Sequence, residues 1–296
     1  MAGPRWGLIG FGEVGSTLAR HLVGQQPGSV AVTDPLLNQD HVPEHVQRRL
    51  EGLDLRVVRS ITELSRCSDL VLSTVTARVA VDVAGQAGPH LREGIYIDVN
   101  SLSPMHKREA AASFAENRYV DGAILGAIAA QGARTPVALS GPRAPQACTL
   151  LKEAGFDVEV VGDQVGAASA LKLCRSIFMK GIECLLVETL LAARRFNLIE
   201  QVYRTIEDSL DTYGFQPMAR MLVTSHAIHC GRRAHEMDGV VQMLQQMNLP
   251  HAMSAAAGTV LNRTDQAGLP GHFRQIVPEA IDQVLDQLDA GPREKT

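Results

Sequence analysis

Paired cysteines and membrane-length apolar runs are both missing from this sequence. The 296 residues include only five cysteines, an odd number, and no two of them have C-x-x-C spacing. Disulfide frameworks need paired cysteines in an oxidising compartment, so this pattern favours free thiols. No apolar run reaches the roughly 20 residues that span a bilayer, and a strand-like segment stands where a signal peptide would be. We therefore expect a cytoplasmic protein without a membrane partner.

Concentrated positive charge is also missing. The net charge is −4, and the arginine pairs at 48–49, 194–195 and 232–233 are short and far apart. Because nucleic-acid-binding proteins carry a basic stripe or patch, we expect no nucleic-acid partner. Hydrophobic residues at 45% and charged residues at 20% are ordinary for a globular protein, and the length suffices for two domains.

A glycine-rich turn follows the first strand-like segment, RWGLIG (5–10), and precedes an amphipathic helix, STLARHLVGQ (16–25). The spacing is G-x-G-x-x-G. The first glycine permits a tight turn, the second lets the backbone approach a pyrophosphate, and the third lets helix and strand pack closely. Glycines alone would also fit a plain turn, but the flanking strand and helix favour a dinucleotide site. The residues of this turn predicted to bind the cofactor are Gly10, Phe11, Gly12, Glu13, Val14 and Gly15.

An acidic residue closes the next predicted strand, SVAVTD (29–34). Asp34 lies 19 positions past Gly15, where a carboxylate accepts hydrogen bonds from the adenosine ribose and repels a 2′-phosphate. No arginine follows within ten residues. This pattern favours NAD over NADP as the cofactor. The alternative is that Asp34 is only a turn residue before Pro35.

Strand-like and helix-like segments alternate as far as residue 162. Such alternation predicts an α/β domain, a Rossmann-type doubly wound parallel sheet with helices on both faces. Further strands are predicted at 55–58, 69–75, 95–100, 118–124, 136–141 and 157–162, with helices at 61–67, 77–87, 104–116 and 143–154.

Ligands of such sheets lie beyond the carboxyl ends of the strands. The residues at those ends are therefore candidates, the first four for the cofactor and the last for the substrate: Ser73, Thr74, Val75, Asn100 and Ser101. The alternative for each hydroxyl is a helix cap. Ser103 followed by Pro104 has the pattern of an N-cap and first helical residue.

The second half of the chain has helical periodicity only. We predict a dinucleotide-binding domain over 1–164 and an all-α C-terminal domain over 165–296, with the substrate cleft between them. The helices following the first long one are predicted at 199–210, 218–229, 232–247, 251–258 and 277–288.

A long apolar helix is predicted to open the second domain, within residues 162–195, and it carries one lysine near its start. Lys172 follows the small-residue run AASA (167–170), which leaves room for a nicotinamide ring. Burial lowers the pKa of a lysine, so Lys172 is a candidate general acid and base, with Ser176 one turn later on the same face. The alternative is a lysine whose ammonium group reaches water.

Four segments resemble the β-hydroxyacid dehydrogenase family, which includes 6-phosphogluconate and 3-hydroxyisobutyrate dehydrogenases. They are GLIGFGEVG (7–15), DGAILGA (121–127), GDQVGAASALKLCRS (162–176) and HCGRRAHEM (229–237). The resemblance implies the two-domain fold, NAD(P)-dependent hydride transfer at a hydroxyl carbon, Lys172 as catalytic lysine, and a homodimer.

Two segments depart from the family patterns. In the substrate motif Asp121 and Gly126 agree, whereas Leu125 replaces a serine and Ala127 a glycine; in the catalytic motif Ser176 replaces an asparagine. The backbone amides of 125–127 are still expected to donate to a substrate carboxylate. Leu125 adds an apolar wall, which predicts a bulkier or more hydrophobic substrate than a small hydroxy acid.

Two other functions compete with a dehydrogenase. Imine reductases are related, but they usually lack the lysine that is present here as Lys172. A protein that binds NAD(H) without turnover, as a sensor or scaffold, is compatible with the departures at Leu125 and Ser176.

The histidine-rich stretch around residue 230 does not have the spacing of a metal site. His226, His229, Cys230, His235 and Glu236 do not put four ligands on one helical face. We expect an i, i+4 ion pair between Arg232 and Glu236 instead, no metal, and Arg233 as a candidate anion contact for the substrate.

The apolar surface over 177–191 exceeds what one small helical domain covers, which predicts a homodimer formed through the helical domain.

Overall fold

A computed structural model describes residues 3–26 and 28–290. Its first part is an eight-stranded sheet with the order β3-β2-β1-β4-β5-β6-β7-β8, and every neighbouring pair is parallel except β6–β7. All eight predicted strands are present, and the predicted Rossmann-type α/β fold is confirmed. The strands are β1 (Trp6–Ile9), β2 (Val30–Thr33), β3 (Arg56–Val57), β4 (Leu70–Ser73), β5 (Ile95–Asp98), β6 (Tyr119–Ile124), β7 (Val137–Ser140) and β8 (Val158–Gly162).

The central strands are continuous apolar runs because both of their faces are buried. β1, β2, β4 and β5 have no exposed residue, as expected for a parallel sheet covered by helices on both sides. One core lies on each face of the sheet. The helices around it are α1 (Glu13–Gln25), α2 (Glu44–Leu50), α3 (Ile61–Cys67), α4 (Ala80–Ala87), α5 (Pro104–Ala111), α6 (Ile128–Gln131) and α7 (Ala144–Glu153).

The antiparallel β6–β7 pair is a departure from the predicted all-parallel sheet. The connection between the two strands contains only the four-residue helix α6 and, after it, a three-residue 3-10 turn at Gly132–Arg134. Such a helix rises about 6 Å, too little to run back along β6 and start a parallel strand. The chain therefore reverses, and Asp121 pairs with Ser140 in the antiparallel register.

Several helix boundaries around the sheet differ from the predictions. The helix predicted at 77–87 begins at Ala80, the one predicted at 104–116 ends at Ala111, and α2 was not predicted. Ser103 caps α5 by accepting from the His106 amide, with Pro104 as the first helical residue. That predicted cap is confirmed.

After β8 the described residues form helices joined by turns and loops: α8 (Ala167–Arg195), α9 (Ile199–Tyr213), α10 (Phe215–Gln246), α11 (Ala252–Gln266), α12 (Leu269–His272) and α13 (Ile281–Asp289). The break predicted between 229 and 232 is wrong, since α10 is continuous. Gly231 lies inside α10, where an added Cβ would come within 2.7 Å of the Asp265 carboxylate on α11. This glycine therefore permits close helix packing.

The chain forms two compact units, the first ending at Ile177 and the second beginning at Phe178. The domain boundary predicted after residue 164 lies just before α8, whereas the two units separate within α8. None of the helices in the described part of the chain is long and apolar enough to cross a bilayer.

Candidate cofactor and active site

The glycine turn between β1 and α1 has the geometry of a phosphate-binding turn. Gly10 has a φ of +98°, which favours glycine. A Cβ on Gly15 would lie 2.1 Å from the Gly10 carbonyl oxygen, so only glycine lets α1 start this close to the strand. A Cβ on Gly12 would meet no atom of the described residues within 4 Å. The space beside Gly12 is therefore open to a ligand at the helix N-terminus.

Asp34 holds this turn in place through both of its carboxylate oxygens. Oδ2 accepts the Phe11 amide at 2.7 Å, and Oδ1 accepts the Leu36 amide at 2.8 Å. The bond from the Leu36 amide is local and forms the turn that the alternative interpretation of Asp34 required. The first bond ties the end of β2 to the glycine turn, so Asp34 has both a structural role and a partly exposed carboxylate.

An open groove of about 620 Å³ runs from the glycine turn past Asp34. We call it the nucleotide groove. It contains one basic side chain that sequence reasoning missed, Arg59, just after β3. Five of the predicted cofactor residues line it: Gly10, Gly12, Asp34, Thr74 and Val75. Its other lining residues include Asn38, Ser60, Ile61, Thr76, Val79, Val83 and Gln86.

A second cavity of about 200 Å³ lies at the ends of β4, β5 and β6, and we call it the lysine pocket. Thr74 and Val75 line both cavities, so the nucleotide groove and the lysine pocket are adjacent. Residues predicted for the cofactor and for the substrate come together here. The lining residues are Val14, Thr74, Val75, Val99, Asn100, Ser101, Ile124, Gly126, Ile128 and Lys172.

Lys172 is half-buried, and its Nζ donates to the Ser101 hydroxyl at 2.7 Å. Burial and, second, the positive charge of Lys107 lower the pKa of Lys172. Ser176 does not share this contact, because its hydroxyl donates to the Lys172 backbone carbonyl at 2.8 Å. A half-buried amine of lowered pKa, hydrogen-bonded to a hydroxyl, can exchange a proton with a ligand in the pocket.

A buried lysine beneath this pocket was missed by the sequence analysis. Lys107 on α5 is fully buried and lies 3.0 Å from an Asp98 oxygen and 3.3 Å from an Asp121 oxygen. We call these three residues the Lys107 cluster. In sequence, Lys107 stands among the polar residues of a surface-like helix, so no local pattern indicates its burial.

The Lys107 cluster contacts both sides of the lysine pocket. Asp98 accepts the Asn100 amide and side chain at 2.9 and 2.7 Å, directly before Ser101. Asp121 accepts the amides of Gly166 and Ser169 and the Ser169 hydroxyl at the start of α8. For Asp121, the position in the family substrate motif was the only signal in the sequence.

Several predicted residues contribute backbone or support instead of lining the pocket. The Phe11 side chain is buried in the core. Ser73 is fully buried, and its hydroxyl accepts from Asn100 at 2.9 Å, so it could affect a cofactor only through Asn100. Glu13 is exposed in the first turn of α1.

The expectation that the Leu125 amide binds a substrate carboxylate is wrong. That amide donates to the Pro136 carbonyl at 2.8 Å, extending the antiparallel β6–β7 pairing. The Leu125 side chain packs beside an alanine cluster that includes Ala168 on α8. The amides of Gly126 and Ala127 donate to no acceptor in the described residues, and Gly126 lines the lysine pocket.

The histidine-rich stretch lies in the second unit. The predicted ion pair between Arg232 and Glu236 is confirmed. Arg233 donates to Ser225 on the same helix at 2.9 Å, and its role as a substrate contact stays a prediction. Over residues 3–26 and 28–290, no group of three or more His, Cys, Asp or Glu side chains could hold a metal ion.

Comparison with known proteins agrees with this architecture. An uncharacterized 28.5 kDa protein of Methanothermus fervidus is 30% identical over 249 residues, 84% of this chain and 94% of that protein. A solved conserved protein of unknown function, described as structurally similar to 3-hydroxyacid dehydrogenases, is 34% identical with a TM-score of 0.61, covering 90% of this chain and 99% of its own. An imine reductase variant from Myxococcus stipitatus, in complex with NAD+, has a TM-score of 0.72 over 97% of this chain and 100% of its own; at 18% identity it shows the fold alone.

The fold and the nucleotide groove thus define a dinucleotide-binding protein of the Rossmann class. Residues 5–144 match the NAD binding domain of 6-phosphogluconate dehydrogenase, and residues 193–264 match a domain of unknown function, DUF1932. The chain belongs to the 6-phosphogluconate-dehydrogenase-like family that joins these two domains. The family resemblance read from the motifs is confirmed.

Proposed function

We propose that this protein is an NAD-dependent oxidoreductase that transfers a hydride between nicotinamide and the hydroxyl carbon of a β-hydroxy acid or related alcohol. The observation that carries this proposal is Lys172: an amine of lowered pKa, bonded to Ser101, in a pocket adjacent to the nucleotide groove. A general acid and base is the group that such a reaction needs from the protein.

The residues of the groove fit a nicotinamide dinucleotide. The open side of Gly12 and the amides that begin α1 would hold the phosphates, and Asp34 would hold the adenosine ribose. Thr74 and Val75, shared by both cavities, would lie along the cofactor. When bound, the nicotinamide supplies a hydride acceptor for oxidation and a hydride donor for reduction.

Lys172 would handle the proton at its Nζ. For oxidation the neutral amine accepts the proton of the substrate hydroxyl, and for reduction the ammonium returns it. Ser101 orients the amine through their 2.7 Å hydrogen bond and offers its hydroxyl to the same substrate oxygen. Gly126 and Ala127 offer amides to a carboxylate, so the proposed substrate binds between these amides and Lys172.

The choice of NAD is part of the proposal. The Asp34 carboxylate would repel a 2′-phosphate in the nucleotide groove. Arg59 lines the same groove and would favour a 2′-phosphate. The preference for NAD or NADP therefore depends on whether Asp34 or Arg59 lies nearer the ribose. Structures of the Myxococcus stipitatus imine reductase contain NADP+ in one case and NAD+ in a variant, which supports testing both cofactors.

A panel assay tests the function. Purified protein is mixed with NAD or NADP and a series of hydroxy acids and alcohols, and the appearance of NADH or NADPH absorbance is followed. The reverse series contains oxo acids and cyclic imines. Turnover of hydroxy acids supports the proposal. Turnover of imines alone would identify an imine reductase, and cofactor binding without any turnover would identify a sensor or scaffold protein.

We also propose that two copies associate through the helical domain. Large apolar side chains of the second unit are exposed, among them Phe178, Val187, Phe196, Tyr213 and Phe215. Exposed apolar surface of this extent is typical of an interface. A monomeric mass by light scattering at micromolar concentration would contradict the dimer.

All five cysteines are free thiols, which supports the proposed cytoplasmic location.

A further inference from the structure

The Lys107 cluster lies beneath the lysine pocket and is isolated from water. Lys107, Asp98 and Asp121 are each fully buried. Burying three charges costs free energy even when they are paired, and apolar side chains of the same volume would often stabilise a core equally well. Packing alone therefore does not account for a buried lysine between two aspartates.

One arm of the cluster leads to Ser101. Asp98 accepts from the Asn100 amide and side chain, and from the Tyr119 hydroxyl at 2.7 Å. Burial and the neighbouring Asp98 charge raise the pKa of Tyr119, which therefore stays protonated and donates. Asn100 also donates to Ser73, so the backbone immediately before Ser101 is fixed from two strands.

The other arm leads to Lys172. Asp121 accepts from the Gly166 amide at 3.1 Å, the Ser169 amide at 3.0 Å and the Ser169 hydroxyl at 2.7 Å. A carboxylate at this position satisfies free amides of the α8 N-terminus and complements the helix dipole. Lys172 lies one turn after Ser169, so Asp121 sets the rotation and height of the helix that presents it.

Lys107 joins the two arms. Its Nζ contacts a carboxylate oxygen of each aspartate and donates to the backbone carbonyls of Asp98 and Gly122. We infer that Lys107 is a positioning residue, which holds the Ser101 strand end and the Lys172 helix start at the separation that forms the Lys172–Ser101 pair. This inference rests on the proposed function, in which that pair handles the proton.

Two variants test the inference. Lys107→Met removes the charge and keeps the length. Lys107→Met combined with Asp121→Asn also removes one aspartate charge, and the remaining Asp98 keeps its three donors from Asn100 and Tyr119. The matched control is Leu151→Ala, which removes a buried side chain of the same domain away from the cluster.

The first readout does not need turnover. Competitive acetylation across a pH series, followed by mass spectrometry, reports the titration of Lys172 in the full-length protein. Burial and, second, the positive charge of Lys107 lower the pKa of Lys172, so removal of that charge in both variants should move the midpoint to higher pH. Below the midpoint we expect labelling of Lys172 to be slower in both variants than in the wild type. Leu151→Ala should lower the Tm without moving the midpoint.

The second readout is kinetic. Both Lys107 variants should lower kcat about tenfold or more, because a misplaced acid–base group loses rate steeply. The Kd for NAD should stay within about twofold, since the nucleotide groove is built from other residues.

An unchanged labelling midpoint and kcat in a folded variant would overturn the inference. Failure of both variants to fold, with Leu151→Ala folded, would also overturn it, since the cluster would then serve folding alone. If the wild-type protein turns over no substrate, the proposed function fails, while an unchanged labelling midpoint would still overturn the role of Lys107.

Discussion

The Lys172 Nζ lies 2.7 Å from the Ser101 hydroxyl oxygen, although the two residues are 71 positions apart in the chain. α8 contributes the amine, and the end of β5 leads to the hydroxyl. Both side chains line one pocket beside the nucleotide groove.

Lys172→Met should abolish turnover while leaving NAD binding intact. Loss of a general acid and base lowers kcat by roughly 10²–10⁴-fold, and methionine keeps the length of the side chain without its charge. The measurements are kcat from NADH absorbance and Kd from a thermal shift with NAD. Lys180→Met, which removes an exposed lysine from the same helix, is the matched control and should retain activity. Loss of NAD binding in Lys172→Met would instead indicate a structural lysine.

Ser101→Ala should lower kcat about tenfold, because a hydrogen bond to a charged group contributes about 1.5 kcal/mol. The KM for NAD should change little, since Ser101 does not line the nucleotide groove. The control is Ser103→Ala, which removes the α5 cap two residues later and should reduce stability alone. Equal kcat values for Ser101→Ala and the wild type would show that the observed hydrogen bond has no part in turnover.

The pH dependence follows from the lowered pKa of Lys172. Oxidation needs the neutral amine, so its kcat/KM should rise with pH and level off below the ordinary lysine value of 10.5. Reduction needs the ammonium and should fall over the same interval. Lys172→Met should remove this titration from any residual rate. A profile in which oxidation and reduction respond to pH in the same direction would contradict the assignment.

Two glycine substitutions should separate folding from cofactor binding. Gly15→Ala places a Cβ against the Gly10 carbonyl and should cost about 1–3 kcal/mol or more of the free energy of unfolding. Gly12→Ala points into open space and should cost at most about 1 kcal/mol at this N-cap position, yet block the approach of a pyrophosphate. Tm and the Kd for NAD are measured for both. Wild-type NAD affinity in Gly12→Ala would refute the assignment of this turn.

Asp34→Asn should weaken NAD binding more than NADP binding. The amide has one acceptor oxygen, so one of the amides of Phe11 and Leu36 loses its partner, at a cost of about 1–3 kcal/mol. Removal of the charge also removes repulsion toward a 2′-phosphate. Asp40→Asn, an exposed neighbour, is the control. Tighter binding of NADP than of NAD by the wild-type protein would show that Arg59, not Asp34, sets the preference.

Much of the fold was predictable because it depends on local patterns. Apolar runs marked all eight strands, and the glycine spacing marked the phosphate turn. Where local pattern and tertiary contact disagreed, the prediction was wrong. The helices predicted at 218–229 and 232–247 are one continuous helix, α10, and Gly231 lies inside it, where the missing Cβ leaves space for the Asp265 carboxylate. The Leu125 amide was assigned to a substrate, but the reversal of the chain after β6 gives it the Pro136 carbonyl.

The sequence by itself determined the class of the protein and its candidate catalytic lysine, since the glycine turn, Asp34 and Lys172 stand in recognisable local surroundings. Only the tertiary structure decided which side chains meet around that lysine. Ser73 ends β4 and Ser101 follows β5, yet Ser73 is fully buried and Ser101 contacts Lys172. Lys107 looked like a surface residue and is fully buried between Asp98 and Asp121. Burial and long-range pairing depend on how the strands and helices pack together, and no local pattern carries that information.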